Sequence, residues 1–297
     1  MRLRQNVASG CKAAMLRASG TGRRQLWHPT TSHLLFRSLM KMLFLLVLSF
    51  TGLLAVLAPA RPAGPLSHPV ASGRIPIVVE LFTSEGCSSC PAADAALREL
   101  ANAQSVPGVE VIALGEHVDY WNRLGWKDDF SSPAYTARQR QYAAGFGTGS
   151  YTPQAVVSGR YEFVGSRTGE LAATVAKAAR APQAVLTVTT TGNTAQVRVS
   201  SVPAGTPATE VLLAITESGL ASQVGRGENA GRLLQHAAVV RRLLPLGQVG
   251  ADGTFAASPS LPLNTAWKRA NLRAVVLVQE MASRRIVGAA AVALQNE

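Results

Sequence analysis

Residues 77–94 read IVVELFTSEGCSSCPAAD, an apolar run that passes through a short polar turn into an alanine-rich segment carrying two cysteines three residues apart. Ile77 to Phe82 has the make-up of a buried strand, and Ala93, Leu97, Leu100 and Ala103 recur at helical spacing. The pattern predicts a strand over 75–82 and a helix over 87–103, with both thiols on the first turn of that helix. Unpaired N–H groups and the positive end of the helix dipole favour thiolate over thiol there, which makes Cys87 the candidate nucleophile. Gly86 in front of it is expected to leave the sulfur open to a partner. Cys90, one turn further in, is the candidate resolving thiol. Such a pair can close to a disulfide, reopen, and pass the disulfide on by exchange.

The chain has 297 residues and a formal charge of +12. Residues 2–60 contain no Asp or Glu but hold 8 of the 29 Lys and Arg, so the remainder has 21 basic residues against 17 acidic ones. The basic excess therefore belongs to the leader and gives no reason to expect a nucleic-acid partner. Met42 to Ala58 is an apolar run after Arg37 and Lys41, and Ala58-Pro59-Ala60 offers small residues for cleavage. Residues 1–60 thus read as a leader with a secretory signal, 61–74 as a linker, and the mature chain is expected to begin near Arg61 in the periplasm or outside the cell. An uncleaved leader would be the sole membrane attachment. Removing the leader takes Cys11 with it and leaves Cys87 and Cys90, too few for a structural disulfide framework. A bridge over two residues also restrains little of the unfolded chain.

Further along, Val109 to Leu114 alternates as a second strand, and Pro133 to Ala144 reads as a helix stopped by Gly145, Gly147 and Gly149. Gln154 to Ser158 and Tyr161 to Val164 flank Gly159-Arg160 as a hairpin, and Arg167 to Arg180 is again helical. The order β-α-β-α-β-β-α over 75–183 is the thioredoxin succession, with the thiol turn at the carboxyl edge of a parallel pair. From Ala184 to the end the texture is mainly β, opening with a hairpin around Gly192-Asn193. The fold class expected is α/β: a thioredoxin-like domain followed by a sandwich-like β domain over 184–297.

Three more residues are candidates for the site. Tyr151-Thr152-Pro153 precedes a strand after a glycine-rich loop and resembles the cis-proline loop across from the thiols in thioredoxin-like proteins, so Thr152 and Pro153 are expected to face them. Glu80, in mid-strand, is costly to bury unless it is paired or protonated. It is either the proton acceptor for Cys90 or the partner of an arginine; thioredoxin's buried acid lies one residue nearer the first cysteine. Glu116-His117-Val118-Asp119-Tyr120-Trp121 follows the second strand at the same edge, as a rim or as a capped loop.

VVELFTSEGCSSCPAAD, HVDYWNRLGW, TARQRQYA at 136–143, YTPQAVVSG and the later GENAG at 227–231 together resemble the secreted thioredoxin-like family known as domain-of-unknown-function family 1223. The resemblance implies a thioredoxin fold, export and a working CxxC pair, and no particular substrate. The leading expectation is an exported thiol–disulfide oxidoreductase acting on the thiols or disulfides of exported proteins, without a cofactor, its β domain serving substrate selection or a homodimer. The alternatives are a copper(I) module using Cys87, Cys90 and His117, and a non-catalytic binding protein of the same fold. Zinc lacks ligands on this reading, since only His68, His117 and His236 stand outside the leader.

Overall fold

The computed structural model describes residues 73–294. The leader, the apolar run at 42–58 and the expected mature terminus at Arg61 lie outside the described residues. No helix among the described residues is long and apolar enough to cross a membrane.

The chain is mixed α/β, built on one large sheet. Strand β1 (Ile75–Thr83) pairs in parallel with β2 (Val109–His117), in register from Ile75 opposite Val109 to Thr83 opposite His117. Helix α1 (Cys90–Ala103) makes the crossover between them. Helix α2 (Pro133–Phe146) follows, capped by Ser132 at its start and by left-handed Gly147 at its end. Strands β3 (Gln154–Val157) and β4 (Tyr161–Val164) then add antiparallel on the far side of β1, and helix α3 (Thr168–Ala178) closes this part.

Alternation along β1 sorts its side chains between two layers. Ile77, Val79 and Leu81 pack on Ala93, Leu97 and Leu100 of α1 and on Leu171 and Val175 of α3. The next residues in each step point the other way: Val78 meets Tyr135 of α2, and Phe82 meets Tyr142. Both faces of the parallel pair are covered, as such sheets require.

The later residues extend the same sheet. Strands β5 (Val185–Thr191) and β6 (Thr194–Ser201) form the hairpin around Gly192-Asn193. They are followed by β7 (Thr209–Glu217), β8 (Ala221–Gln223), β9 (Leu233–Gln235), β10 (Val239–Gln248), β11 (Phe255–Ala257), β12 (Leu272–Glu280) and β13 (Ile286–Ala293). The large sheet runs β13-β12-β7-β10-β2-β1-β3-β4, so the segments before and after residue 184 contribute four strands each to one compact unit. The three-stranded sheet β11-β6-β5 packs its valines on Val211, Leu213, Ile215, Val276 and Val278 of the large one.

The two halves of the sheet meet where β10 touches β2 at one pairing, Val239 with Gly115. Gly115 N–H donates to Ala238 O at 2.8 Å, and Tyr135 OH donates to Val240 O at 2.7 Å. A Cβ on residue 115 would stand 2.8 Å from the Ala237 carbonyl oxygen, so only glycine allows the approach. Gly115→Ala is expected to destabilise the fold by about 1–3 kcal/mol, as overpacking does, read as a lowered Tm. An unchanged Tm would contradict a closed seam.

Candidate functional site

The turn after β1 carries Cys87 and Cys90 joined by a disulfide. Cys87 N–H donates to Ser84 O and Cys90 N–H to Cys87 O, both at 3.2 Å, so the first cysteine lies in a turn ahead of the helix. The sequence placed the helix start at Cys87, whereas α1 begins at Cys90 with Ser89 as its N-cap and Pro91 just inside. Proline's fixed φ and missing N–H suit that first position and set the boundary there.

Both sulfur residues are about 1 % exposed, which corrects the expectation that Gly86 leaves Cys87 open. Gly86 admits Trp121 instead: a Cβ at 86 would lie 3.1 Å from Trp121 Cβ. From the later half of the chain, Asn229 Nδ2 donates to Glu85 O and Cys87 O, each at 2.9 Å, and Glu228 accepts from Ser88 N–H at 3.0 Å. Asn229 is in turn held by Arg232 at 2.6 Å. Trp121 Nε1 donates to Thr152 Oγ1 at 2.9 Å, and the Thr152–Pro153 bond is cis. Since β3 begins opposite Phe82, one indole thus spans from the residue before Cys87 to the Thr152-Pro153 loop. A cleft of about 430 Å³ lies alongside, lined by Gly86, Trp121, Leu124, Trp126, Gly227 and Glu228.

On the α1 side of the sheet, Thr83 and His117 end their strands side by side. Thr83 Oγ1 donates to Asp94 Oδ2 at 2.7 Å, and Asp94 sits one helical turn beyond Cys90. His117 Nδ1 lies 2.7 Å from Asp128 Oδ2, which also accepts from Glu85 N–H at 3.0 Å. A carboxylate only accepts, so Nδ1 carries the proton. His236 Nε2 is 3.1 Å from Glu85 Oε1, and Trp126 Nε1 donates to Glu85 Oε2 at 2.7 Å. Burial raises Asp94 above the usual carboxylate range. For His117, burial acts downward but Asp128, Asp94 and Glu85 outweigh it and favour the imidazolium. Burial opposes ionisation of Asp128 too, yet His117 and two backbone N–H groups hold it below its ordinary value.

Glu80 lies on the opposite face, because one step along a strand reverses the side chain. It is buried, with Arg138 Nε donating to Oε1 at 2.6 Å and Tyr142 OH to Oε2 at 2.5 Å. Arg138 also donates to Gln279 at 3.0 Å, tying α2 to β12. The expectation that Glu80 takes a proton from Cys90 is corrected on this ground: its partners are Arg138 and Tyr142, and the acid on the thiol side is Asp94. The pairing with an arginine is the alternative that the geometry bears out. Removing either partner would strand a buried charge, at a cost of about 3–5 kcal/mol.

Residues 78–279 match the family model described as "Protein of unknown function (DUF1223)". The chain belongs to that family. No curated protein matches it. The crystal structure of protein AGR_C_4864 from Agrobacterium tumefaciens is similar at 27 % identity and a TM-score of 0.62, over 76 % of this chain and 98 % of that one. A domain of the outer membrane lipoprotein Omp28 from Porphyromonas gingivalis aligns with 38 % of this chain and 92 % of that one, at 14 % identity and a TM-score of 0.21, too low to carry an argument.

Within this DUF1223 chain, sequence reasoning missed Glu85, Asp94, Asp128 and His236 as one cluster, and Asn229 as the clamp on the thiol turn. Asp94, Asn229 and His236 do stand in or beside the stretches that resemble the family. Glu116 is also informative: it shares the Glu80 face, 3.5 Å from Arg138 Nε, with both oxygens buried and without a hydrogen-bond partner among the described residues. Burial and the neighbouring Glu80 carboxylate push its pKa well above the ordinary 4.5. A carboxyl raised on folding contributes stability below the unfolded value and loses it as pH rises towards the folded one. Glu116→Gln, which cannot ionise, is therefore expected to gain on wild type from pH 4.5 upward by about 1.4 kcal/mol per unit over that window. Tm measured from pH 4 to 8 checks this, and a difference independent of pH would contradict it.

Proposed function

We propose that the protein is an exported thiol–disulfide oxidoreductase with a thioredoxin-like core, acting on the cysteines of other exported proteins. One observation carries the reading: the Cys87–Cys90 disulfide closes at the carboxyl edge of the parallel β1–β2 pair, and Trp121 reaches from Gly86 next to it to the cis Thr152–Pro153 loop. In support of the thioredoxin-like core, β2-β1-β3-β4 stand in that order with α1 and α3 on one face and α2 on the other. Export rests on the leader sequence alone.

The chemistry is two exchanges. As a reductant, the Cys87 thiolate attacks one sulfur of a substrate disulfide, forming a mixed disulfide and expelling the other substrate sulfur as thiolate. Cys90 thiolate then attacks Cys87 Sγ, forming the Cys87–Cys90 bond and releasing the second substrate thiolate. Two electrons pass to the substrate and two protons restore its thiols. The oxidising direction is the reverse. Because both sulfurs are covered, either direction requires their surroundings to yield to the partner, and the Gly227–Gly231 turn, bound to the thiol turn through Asn229 and Glu228, gives the later half of the chain a part in substrate choice.

Cys90→Ser is expected to accumulate mixed disulfides with exported proteins, because the first attack survives and the release step is gone. Cys87→Ser is expected to trap few or none. Non-reducing gels of extracts from the exported fraction read the difference. Metal binding through the thiols would be lost in both variants alike, so equal trapping, or none in either with no reduction of insulin by wild type, would overturn the assignment.

A further inference from the structure

His117 has a buried ring nitrogen, Nε2, with no hydrogen-bond partner among the described residues, although its Nδ1 is fixed by Asp128. An unpaired buried nitrogen is costly, so its direction asks for a reason. The imidazole of His236 stands next to it, ring centres 4.9 Å apart at 76°, and Phe130 closes against both rings. One nitrogen of each imidazole and one carboxylate oxygen of Asp94 all lie within 4.8 Å of one another, and all three residues are buried. We propose that Asp94, His117 and His236 form a binding site for one divalent cation of the zinc class, beneath the Cys87–Cys90 turn.

The donor set is two imidazoles and one carboxylate, which leaves a fourth position open, as in zinc sites that keep a water. Tetrahedral zinc with bonds near 2.0–2.1 Å needs ligand atoms about 3.3 Å apart, so the three would close by about 1 Å or more at the widest pair. The surroundings have the second layer such sites use. Asp128 holds His117 by Nδ1 and Thr83 holds Asp94 Oδ2, while Glu85 Oε1 lies 3.1 Å from His236 Nε2 without making an aligned hydrogen bond. A carboxylate behind a ligating imidazole fixes the ring and raises its basicity. Charge points the same way. Glu85, Asp94 and Asp128 are three carboxylates buried around the two imidazoles, acidic surroundings of the kind a divalent ion favours. Copper(I) at the thiols is a different site, since it needs Cys87 and Cys90 reduced.

The site does not depend on the redox reading, because it is complete with the disulfide closed. The test uses protein freed of metal by chelation, with the disulfide intact, titrated with Zn²⁺ by calorimetry and with Co²⁺ by absorption. The expected result is one ion per chain and cobalt d–d bands of a four- or five-coordinate nitrogen and oxygen site, with no thiolate-to-cobalt charge transfer. Asp94→Asn and His236→Gln are each expected to weaken binding by tenfold or more, and Asp128→Asn by about 10–100-fold. The double variant Cys87→Ser/Cys90→Ser is expected to bind as wild type does. If the ligand variants fail to fold, the cobalt spectrum of the oxidised wild type decides alone. Absence of stoichiometric binding by the oxidised wild type would overturn the proposal, as would affinity unchanged by the ligand variants or lost in the cysteine variant. Failure to trap partners would bear on the redox reading and leave this result standing.

Discussion

The contact between Gly115 and the Ala237–Ala238 backbone is the constraint on which the site depends. It is one parallel pairing, closed to any residue with a Cβ, and it welds β10 to the end of β2. Residues ahead of β10 also lie at the carboxyl edge of β1 and β2, where Asn229 reaches Cys87 O and His236 stands beside His117. The later half of the chain thus supplies both the cover of the disulfide and part of the buried cluster beneath it.

A second constraint is the two-residue period of the strands. At the ends of β1 and β2 it separates two buried polar groups that the sequence presents as neighbours. Thr83 and His117 turn towards α1, where Asp94 and the second histidine meet them. Glu80 and Glu116 turn towards α2, where Arg138 and Tyr142 bind the first, and burial beside the Glu80 carboxylate raises the pKa of the second. The outer network fastens α2 and β12 to β1; the inner one lies against the thiol turn. Confusing the two faces is what made Glu80 look like a proton acceptor.

Much of this was legible in the sequence and some was not, for reasons that are local. The strand before Cys87, the helices and the hairpin at Gly192-Asn193 follow from periodicity and turn residues, and the cis Thr152–Pro153 bond follows from the resemblance of its loop to that of thioredoxin-like proteins. The helix start was misplaced by three residues because apolar spacing continues through Cys87 while Pro91 sets the true boundary. Burial of Cys87 could not be read, since Asn229 and Glu228 arrive from more than 130 residues away. The Asp94–His117–His236 grouping is hidden for the same reason: its members lie on a helix, a strand end and the approach to β10. Counting histidines weighed against zinc at the thiols, whereas the fold gathers two of those histidines with a carboxylate at a different place.

The proposed redox role predicts that the later half of the chain, through the Asn229 amide, governs the reactivity of the disulfide. Its most direct test is the reaction of the Cys87–Cys90 bond with a small thiol, followed in wild type and in Asn229→Ala. Loss of two hydrogen bonds from a buried amide is expected to free the turn and speed reduction by about tenfold, the equivalent of roughly 1.4 kcal/mol, with the Tm of the rest of the molecule lowered far less than by Gly115→Ala. Equal rates in the two proteins would contradict the claim.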